Sequence, residues 1–301
     1  MTITEALDQR RRGIEEVVSD RTRGASQLAR RCLTILADYA RSYPATDTPD
    51  LAEVLQRFAF DLRTARPSMA AVRNLIDRFI ACLKEMHGQP LMAARQLAIG
   101  SAAAVAEQSL WAVQEVSRLA AGLIDEGQTV ITHSLSSTLL ATFRSLTGRS
   151  VHAVVTESCP LREGLILAQE LSRLAIATDY ITDAQVGIFT ARSDLAMVGA
   201  DTVFGDGSAV NKAGTYLLAL AAHDAGIPFY VCCESFKFTE FGAENVTLEE
   251  MSVGELRAPE LPHVRLRNVY FDITPARLIT AIVTEKGVRP PGNATPSPRV
   301  A

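Results

Sequence analysis

Two of the chain's four lysines, Lys212 and Lys237, share one stretch of about forty residues with Asp201 and Asn211. This stretch, Val198 to Phe238, reads as a strand, a polar glycine-bearing turn, a helix and a second strand, and the chemistry it suggests is anion binding. Leu195 to Val198 is a short apolar run, Gly199-Ala200-Asp201 leaves it, and Gly205-Asp206-Gly207-Ser208 supplies turn residues rich in backbone donors. Asn211 and Lys212 are expected to open a helix whose apolar positions Tyr216, Leu217, Leu220 and Ala221 follow the 3.6-residue period. At a helix N-terminus, unpaired N–H groups and the positive end of the dipole both favour an anion. The turn fits neither GxxxxGK[ST] nor GxGxxG, so neither a nucleoside triphosphatase nor a dinucleotide dehydrogenase follows. A plain turn in any α/β domain fits the same residues.

The elements that must position these residues fall into two halves. From Thr4 to about Glu126, helical periodicity with plentiful alanine, leucine and arginine predicts helices over Ile3–Ser19, Gly24–Ser42, Thr48–Thr64, Ala70–Met86 and Met92–Leu123. Pro44, Pro67 and Pro90 mark the breaks, and Asp47 or Thr48 is a candidate N-cap. After Glu126-Gly127 short apolar strands alternate with helices. The strands are Thr129–Thr132, Val151–Thr156, Ala177–Ile181, Leu195–Val198 and Phe229–Cys233, and the helices run near Ser137–Leu146, Glu163–Ala175, Ala184–Thr190 and Asn211–Ala225.

Strict alternation predicts an α/β domain whose parallel sheet is covered on both faces and binds ligands at the strand carboxyl ends. Thr132-His133-Ser134, Glu157-Ser158-Cys159, Asp179 to Asp183 and Asp201 should therefore share one edge. A strand at Tyr270-Phe271-Asp272 and a helix over Pro275–Glu285 follow. The expected organisation is a helical domain over residues 1–126, a sheet domain over 127–289, and a disordered tail over 290–301 rich in proline, glycine, serine and threonine.

At 301 residues, with 48% hydrophobic and 21% charged residues, the chain is long enough for one large or two medium cores. A formal net charge of −4 leaves no broad basic footprint, so no direct nucleic-acid partner is expected. No run approaches the roughly 18 apolar residues of a membrane span, and MTITEALDQRRRG has no signal-peptide core, so a cytoplasmic chain without a membrane partner is expected. The five cysteines are odd in number and lack metal-finger spacing, which argues against a disulfide framework or a zinc site. No metal or other cofactor is expected.

Separated segments fit one further pattern: Arg23-Gly24-Ala25, Arg66-Pro67-Ser68, Thr132-His133-Ser134, Thr156-Glu157-Ser158-Cys159-Pro160 with Gly164, Gly199-Ala200-Asp201, Asn211-Lys212-Ala213-Gly214-Thr215, Glu234-Ser235-Phe236-Lys237-Phe238, and Tyr270 to Pro275 with Leu278-Ile279-Thr280. In these the chain resembles the family that unites the alpha, beta and delta subunits of translation initiation factor 2B with ribose-1,5-bisphosphate isomerase and methylthioribose-1-phosphate isomerase. The match runs in order over nearly the whole chain. The resemblance implies a helical N-terminal domain, a Rossmann-like C-terminal domain through which the chain forms a homodimer or higher homo-oligomer, and a sugar-phosphate pocket between the two.

On that pattern the substrate-binding positions are Arg23, Gly24, Ala25, Arg66, His133, Glu157, Arg162, Asn211, Lys212 and Lys237, although a loop cap fits Glu157 equally and a structural salt bridge fits Arg23 and Arg66 too. Arg23 and Arg66 suit bidentate pairing with phosphate oxygens, and Gly24 would let the backbone approach closely. Arg162 stands in for an arginine usual three residues earlier. The isomerases' chemistry, movement of a proton or hydride between C1 and C2 of an opened aldose phosphate, uses a cysteine and an aspartate. Asp201 matches the aspartate, although a turn-capping carboxylate fits it too. Ser134 stands where the isomerases carry cysteine. A thiol has a pKa of about 8.5 and is readily activated, whereas a serine hydroxyl needs a dedicated base. Cys159 is a candidate replacement thiolate, or a small buried filler.

Two functions remain open: an aldose-ketose isomerase acting on ribose 1,5-bisphosphate or a related aldose 1-phosphate, and a non-catalytic subunit sensing a sugar or nucleotide phosphate. Asp201 favours the first; Ser134 and the Glu234 to Phe238 segment favour the second.

Overall fold

Thr2 starts the first helix by a capping box in which its hydroxyl accepts the Glu5 N–H and the Glu5 carboxylate accepts the Thr2 N–H. The computed structural model of the chain describes residues 2–240, 242 and 248–293. Its contacts divide the chain into two compact units, residues 1–111 and 112–301.

The first unit is helical: α1 (Ile3–Ser19), α2 (Ala25–Ser42), α3 (Thr48–Thr64), α4 (Ala70–Cys82) with a 3-10 turn over Leu83–Met86, and the N-terminal part of α5 (Leu91–Ala121). Asp47 caps α3, accepting the Asp50 N–H, with Pro49 inside the first turn. The amphipathic spacing buries Leu28, Leu36, Tyr39, Leu55, Phe58, Leu62, Leu75 and Phe79. Each such side chain contributes about 1.5–3 kcal/mol when fully removed from water. Tyr39 and Phe58 meet edge to face with ring centroids 5.0 Å apart.

The second unit holds a seven-stranded sheet in the order β10-β9-β7-β4-β1-β2-β3 and a three-stranded sheet in the order β5-β6-β8. The strands are β1 (Thr129–Thr132), β2 (His152–Thr156), β3 (Ala177–Ile181), β4 (Leu195–Val198), β5 (Thr202–Val203), β6 (Ala209–Lys212), β7 (Phe229–Cys232), β8 (Phe271–Thr274), β9 (Ala281–Thr284) and β10 (Gly287–Arg289). All main-sheet neighbours are parallel except β9 and β10. Alternate strand residues serve opposite faces. Val130, Val155, Leu195 and Met197 pack with Phe143 of α6 (Ser137–Ser145) and Leu167 of α7 (Glu163–Arg173). Ile131, Val154, Ala196 and Val198 pack with Leu218 and Ala222 of α9 (Thr215–Ala225) and with Val186 and Phe189 of α8 (Val186–Thr190). The mixed α/β architecture with a mostly parallel sheet covered on both faces is the one expected.

Two expectations are corrected. Asn211 and Lys212 do not open a helix: they end β6, and α9 starts only after Gly214, whose φ of +111° turns the chain. Consequently α9 buries Leu218, Ala219 and Ala222 and leaves Leu217 exposed. The helix expected over Pro275–Glu285 is a 3-10 turn, Ala276–Leu278, followed by β9. The apolar residues Leu278, Ile279 and Ile282 fit a helical period, but the β-branched Ile282-Val283-Thr284 joins the sheet beside β7. The expected tail lies outside the described residues from 294 onward, and Pro291–Asn293 form a 3-10 turn. Among the described residues no helix is long and apolar enough to cross a membrane.

Candidate functional site at the carboxyl edge of the sheet

In the main sheet β1-β2-β3 wind one way and β4-β7-β9 the other, so the order reverses between β1 and β4. Open α/β sheets bind ligands at that switch, outside the strand carboxyl ends. Ser134 follows β1, and Asp201 follows β4. The loop with Glu157 and Cys159 follows β2, Asp183 follows β3, and Glu234 follows β7. The residues expected to share one edge do share it except Asp179, which lies inside β3 with its carboxylate 3.1 Å from His152 at the start of β2.

His133 is buried, and both its ring nitrogens are engaged. Nε2 lies 2.9 Å from the Ala213 carbonyl, so it must donate, and Nδ1 lies 2.6 Å from the Thr156 hydroxyl, which donates to it. Burial lowers the imidazole pKa, against the raising effect of Asp183, whose carboxylate is 3.8 Å from Nδ1. His133 is thus a neutral brace, and Ser134 gains no base from it. Ser134 itself has a φ of 67°, in the left-handed region.

Backbone hydrogen bonds fix the loop after β2. Asp183 accepts the Ser158 and Cys159 N–H groups at 2.9 and 2.8 Å. Gly164 donates to the Glu157 carbonyl, and a Cβ there would stand 1.8 Å from the Thr156 carbonyl oxygen. Arg162 begins α7 with a left-handed φ of 57°, its Nε 4.0 Å from Glu157. Cys159 is exposed, and desolvation followed by the Glu157 and Asp183 carboxylates raises its pKa. That is opposite to what a replacement thiolate requires. Glu157, Cys159 and Asp183 bring one potential ligand atom each within 4.8 Å of one another. Asp183 spends an oxygen on each of two N–H groups, so this grouping reads as a loop brace.

The two lysines are held by carboxylates. Lys212 donates to Glu163 at 2.7 Å and sits 4.0 Å from the Tyr270 ring centroid. Its neighbour Asn211 donates to the Thr215 hydroxyl at 2.9 Å, tying β6 to α9. Across β8, Asp272 accepts the Gly214 and Tyr216 N–H groups, and burial raises its pKa to about 6. Lys237 is buried, with Nζ 3.4 Å from Glu234. Desolvation lowers its pKa, but Glu234 and then Asp201 raise it by more, so it stays charged. The Thr239 N–H donates to the Val203 carbonyl at 2.9 Å, laying this segment beside the one that starts at Asp201.

In the helical unit Asp20 organises both arginines. One of its oxygens accepts the Thr22 and Arg23 N–H groups, the other pairs with the Arg23 guanidinium, and its backbone carbonyl accepts from Arg66 at 3.1 Å. Arg66 is buried and Arg23 exposed. Gly24 is the N-cap of α2, where an added Cβ would meet no protein atom within 4 Å, and Ala25 is buried at its start. The sequence reading missed Asp20, Glu163, Glu234 and Asp272 as partners. Only the i, i+3 spacing of Asp20 with Arg23 and of Glu234 with Lys237 offered a local signal.

The sequence pattern of the Initiation factor 2 subunit family matches residues 21–291. The chain belongs to this family. Within it, a putative translation initiation factor eIF-2B subunit 2-like protein of Pyrococcus abyssi is 37% identical over 278 residues, 91% of this chain and 94% of the relative. The ribose 1,5-bisphosphate isomerase of Archaeoglobus fulgidus is 33% identical over 285 residues, 92% of this chain and 88% of the relative. The crystal structure of Pyrococcus horikoshii translation initiation factor eIF-2B superposes with a TM-score of 0.82 at 34% identity, covering 96% of this chain and 98% of that one. Family membership and fold thus agree with the resemblance read from the motifs.

Proposed function

We propose that the chain binds a phosphorylated sugar at the carboxyl edge of its main sheet. The observation that carries this reading is the placement of Ser134 and Asp201 after the two strands that flank the switch. A polar, mixed-charge edge at that position suits a ligand with many oxygens. The relatives named ribose 1,5-bisphosphate isomerase support a phosphosugar as the ligand class. Assembly into a homodimer or larger homo-oligomer belongs to the same proposal, with light scattering as its check.

A second reading, aldose-ketose isomerisation, is favoured by Asp201. In it the C1–O4 bond of the ring breaks, the Asp201 carboxylate carries the C2 proton to C1, and the proton lost from O2 is balanced by the one gained at O4, while O1 keeps its phosphate, so the sugar is rearranged with no net change of atoms. Against it stands Ser134, whose hydroxyl has no base hydrogen-bonded to it among the described residues. Calorimetry across pentose and hexose phosphates, followed by NMR of the recovered sugar, separates the readings. Absence of binding sinks both; binding with the sugar unchanged leaves only a ligand-sensing role.

A further inference from the structure

Within the helical unit α5 has two unlike faces. Ala94, Ala98, Ala102 and Val105 are buried, whereas Met92, Gln96, Gly100, Ala103, Glu107 and Trp111 form an exposed stripe on the opposite side. The stripe advances by four, four, three, four and four residues, which keeps it on one side of the helix over about 30 Å. Trp111 is 56% and Met92 66% exposed, Leu110 is exposed beside Trp111, and no charged residue lies between Arg95 and Glu107. A solvent-facing helix surface ordinarily carries charged and polar side chains, and a contiguous apolar one marks a contact surface. The two polar residues of the stripe, Gln96 and Glu107, make no side-chain hydrogen bond or ion pair among the described residues.

From either end the stripe reads large, polar, small, small, polar, large. We infer that this face binds a second copy of the chain through an antiparallel contact between the two α5 helices, with the two-fold axis passing between Gly100 and Ala103. The inference rests on the homo-oligomer proposed above and gives it one interface. A two-fold contact must be complementary to itself, so the palindromic order points to a second copy rather than an unrelated partner. Antiparallel pairing brings Met92 level with Trp111 of the second copy, Gln96 with Glu107, and Gly100 with Ala103. The small residues at the centre let the helix axes approach to about 8 Å, and the large ones fill the gap that widens toward the ends of crossing helices. A thioether suits an indole ring. Each Gln96 amide can donate to the Glu107 carboxylate of the other copy, a charge-assisted bond made twice by symmetry. A parallel pairing would set Glu107 against Glu107 and lose both bonds.

Sedimentation equilibrium on the full chain and its variants tests this. The wild-type chain is expected at the mass of two chains or a multiple of two. Ala103→Glu places two carboxylates together at the two-fold axis and should halve that mass, or weaken self-association about hundredfold or more. Glutamate is a good helix former, so α5 itself should persist. Gln96→Lys gives each Glu107 a counter-charge and should tighten association about threefold at low salt, whereas Gln96→Glu should weaken it about tenfold.

Where melting curves show that Ala103→Glu does not fold, Trp111→Glu reads the same loss. An assembled wild-type chain whose mass survives both Ala103→Glu and Trp111→Glu overturns the inference alone, because assembly then uses another face. Equal association of the two Gln96 variants overturns the antiparallel register and the inference with it. A wild-type chain that is monomeric at every loading concentration removes the homo-oligomer and the inference together.

Discussion

The Nε2–H of His133 donates to the Ala213 carbonyl at 2.9 Å, and this one contact ties the end of β1 to the turn that starts α9. It fixes the imidazole as the Nε2–H tautomer, with Nδ1 accepting from Thr156. Burial lowers the ring's pKa, so the neutral ring should predominate at the usual midpoint near 6.5. Nitrogen-15 shifts of labelled histidine should show a protonated Nε2 and an unprotonated Nδ1 at pH 6.5; two protonated nitrogens there would refute the assignment.

Gly164 starts α7 where the chain leaves β2, and a methyl group there would overlap the Thr156 carbonyl oxygen at 1.8 Å. The obstacle is backbone and cannot swing away. Gly164→Ala is expected to cost about 3 kcal/mol or more in urea unfolding. A loss below about 1 kcal/mol would mean the loop relaxes freely.

Asp272 caps α9 from β8 with a pKa of about 6, raised by burial from 3.8. The folded state therefore holds this proton more tightly than the unfolded state. The resulting stability is fully present below about pH 3.8 and is lost as pH rises through about 6. Relative to Asp272→Asn, the wild-type chain should lose on the order of 2–3 kcal/mol between pH 4 and 7. Parallel stability curves for the two proteins would contradict this origin.

Cys159 is exposed, yet its thiol is harder to ionise than an ordinary one because of partial burial and the Glu157 and Asp183 carboxylates. Iodoacetamide should modify it at pH 7 more slowly than a free cysteine, with the rate climbing as pH rises. Modification faster than a free thiol at pH 7 would revive Cys159 as a thiolate nucleophile.

The sequence makes elements legible where local chemistry specifies them. The capping box Thr2–Glu5 and the Asp47 cap with Pro49 mark α1 and α3, and the runs Thr129–Thr132 and Leu195–Val198 mark β1 and β4. It misleads where a short strand abuts a helix. Ala209–Lys212 is only four residues long; its local partner, Thr202–Val203, has just two residues, and its longer pairing, with Thr274 to Phe271, spans some sixty positions, which no local pattern reveals. The site behaves the same way. Ser134 and Asp201 are readable from motifs at strand ends, whereas the partners that fix their surroundings come from distant segments. Lys212 meets Glu163 across 49 positions, and Gly214 meets Asp272 across 58.

The most direct test of phosphosugar binding at this edge is calorimetric titration of ribose 1,5-bisphosphate or ribose 5-phosphate into the wild-type chain and Asp201→Ala, with melting curves to confirm that both are folded. Asp201 follows β4 at the switch of the sheet. The expected result is saturable binding at one site per chain that weakens about tenfold or more in the variant. No binding to the wild-type chain, or equal binding to both proteins, would contradict the assignment.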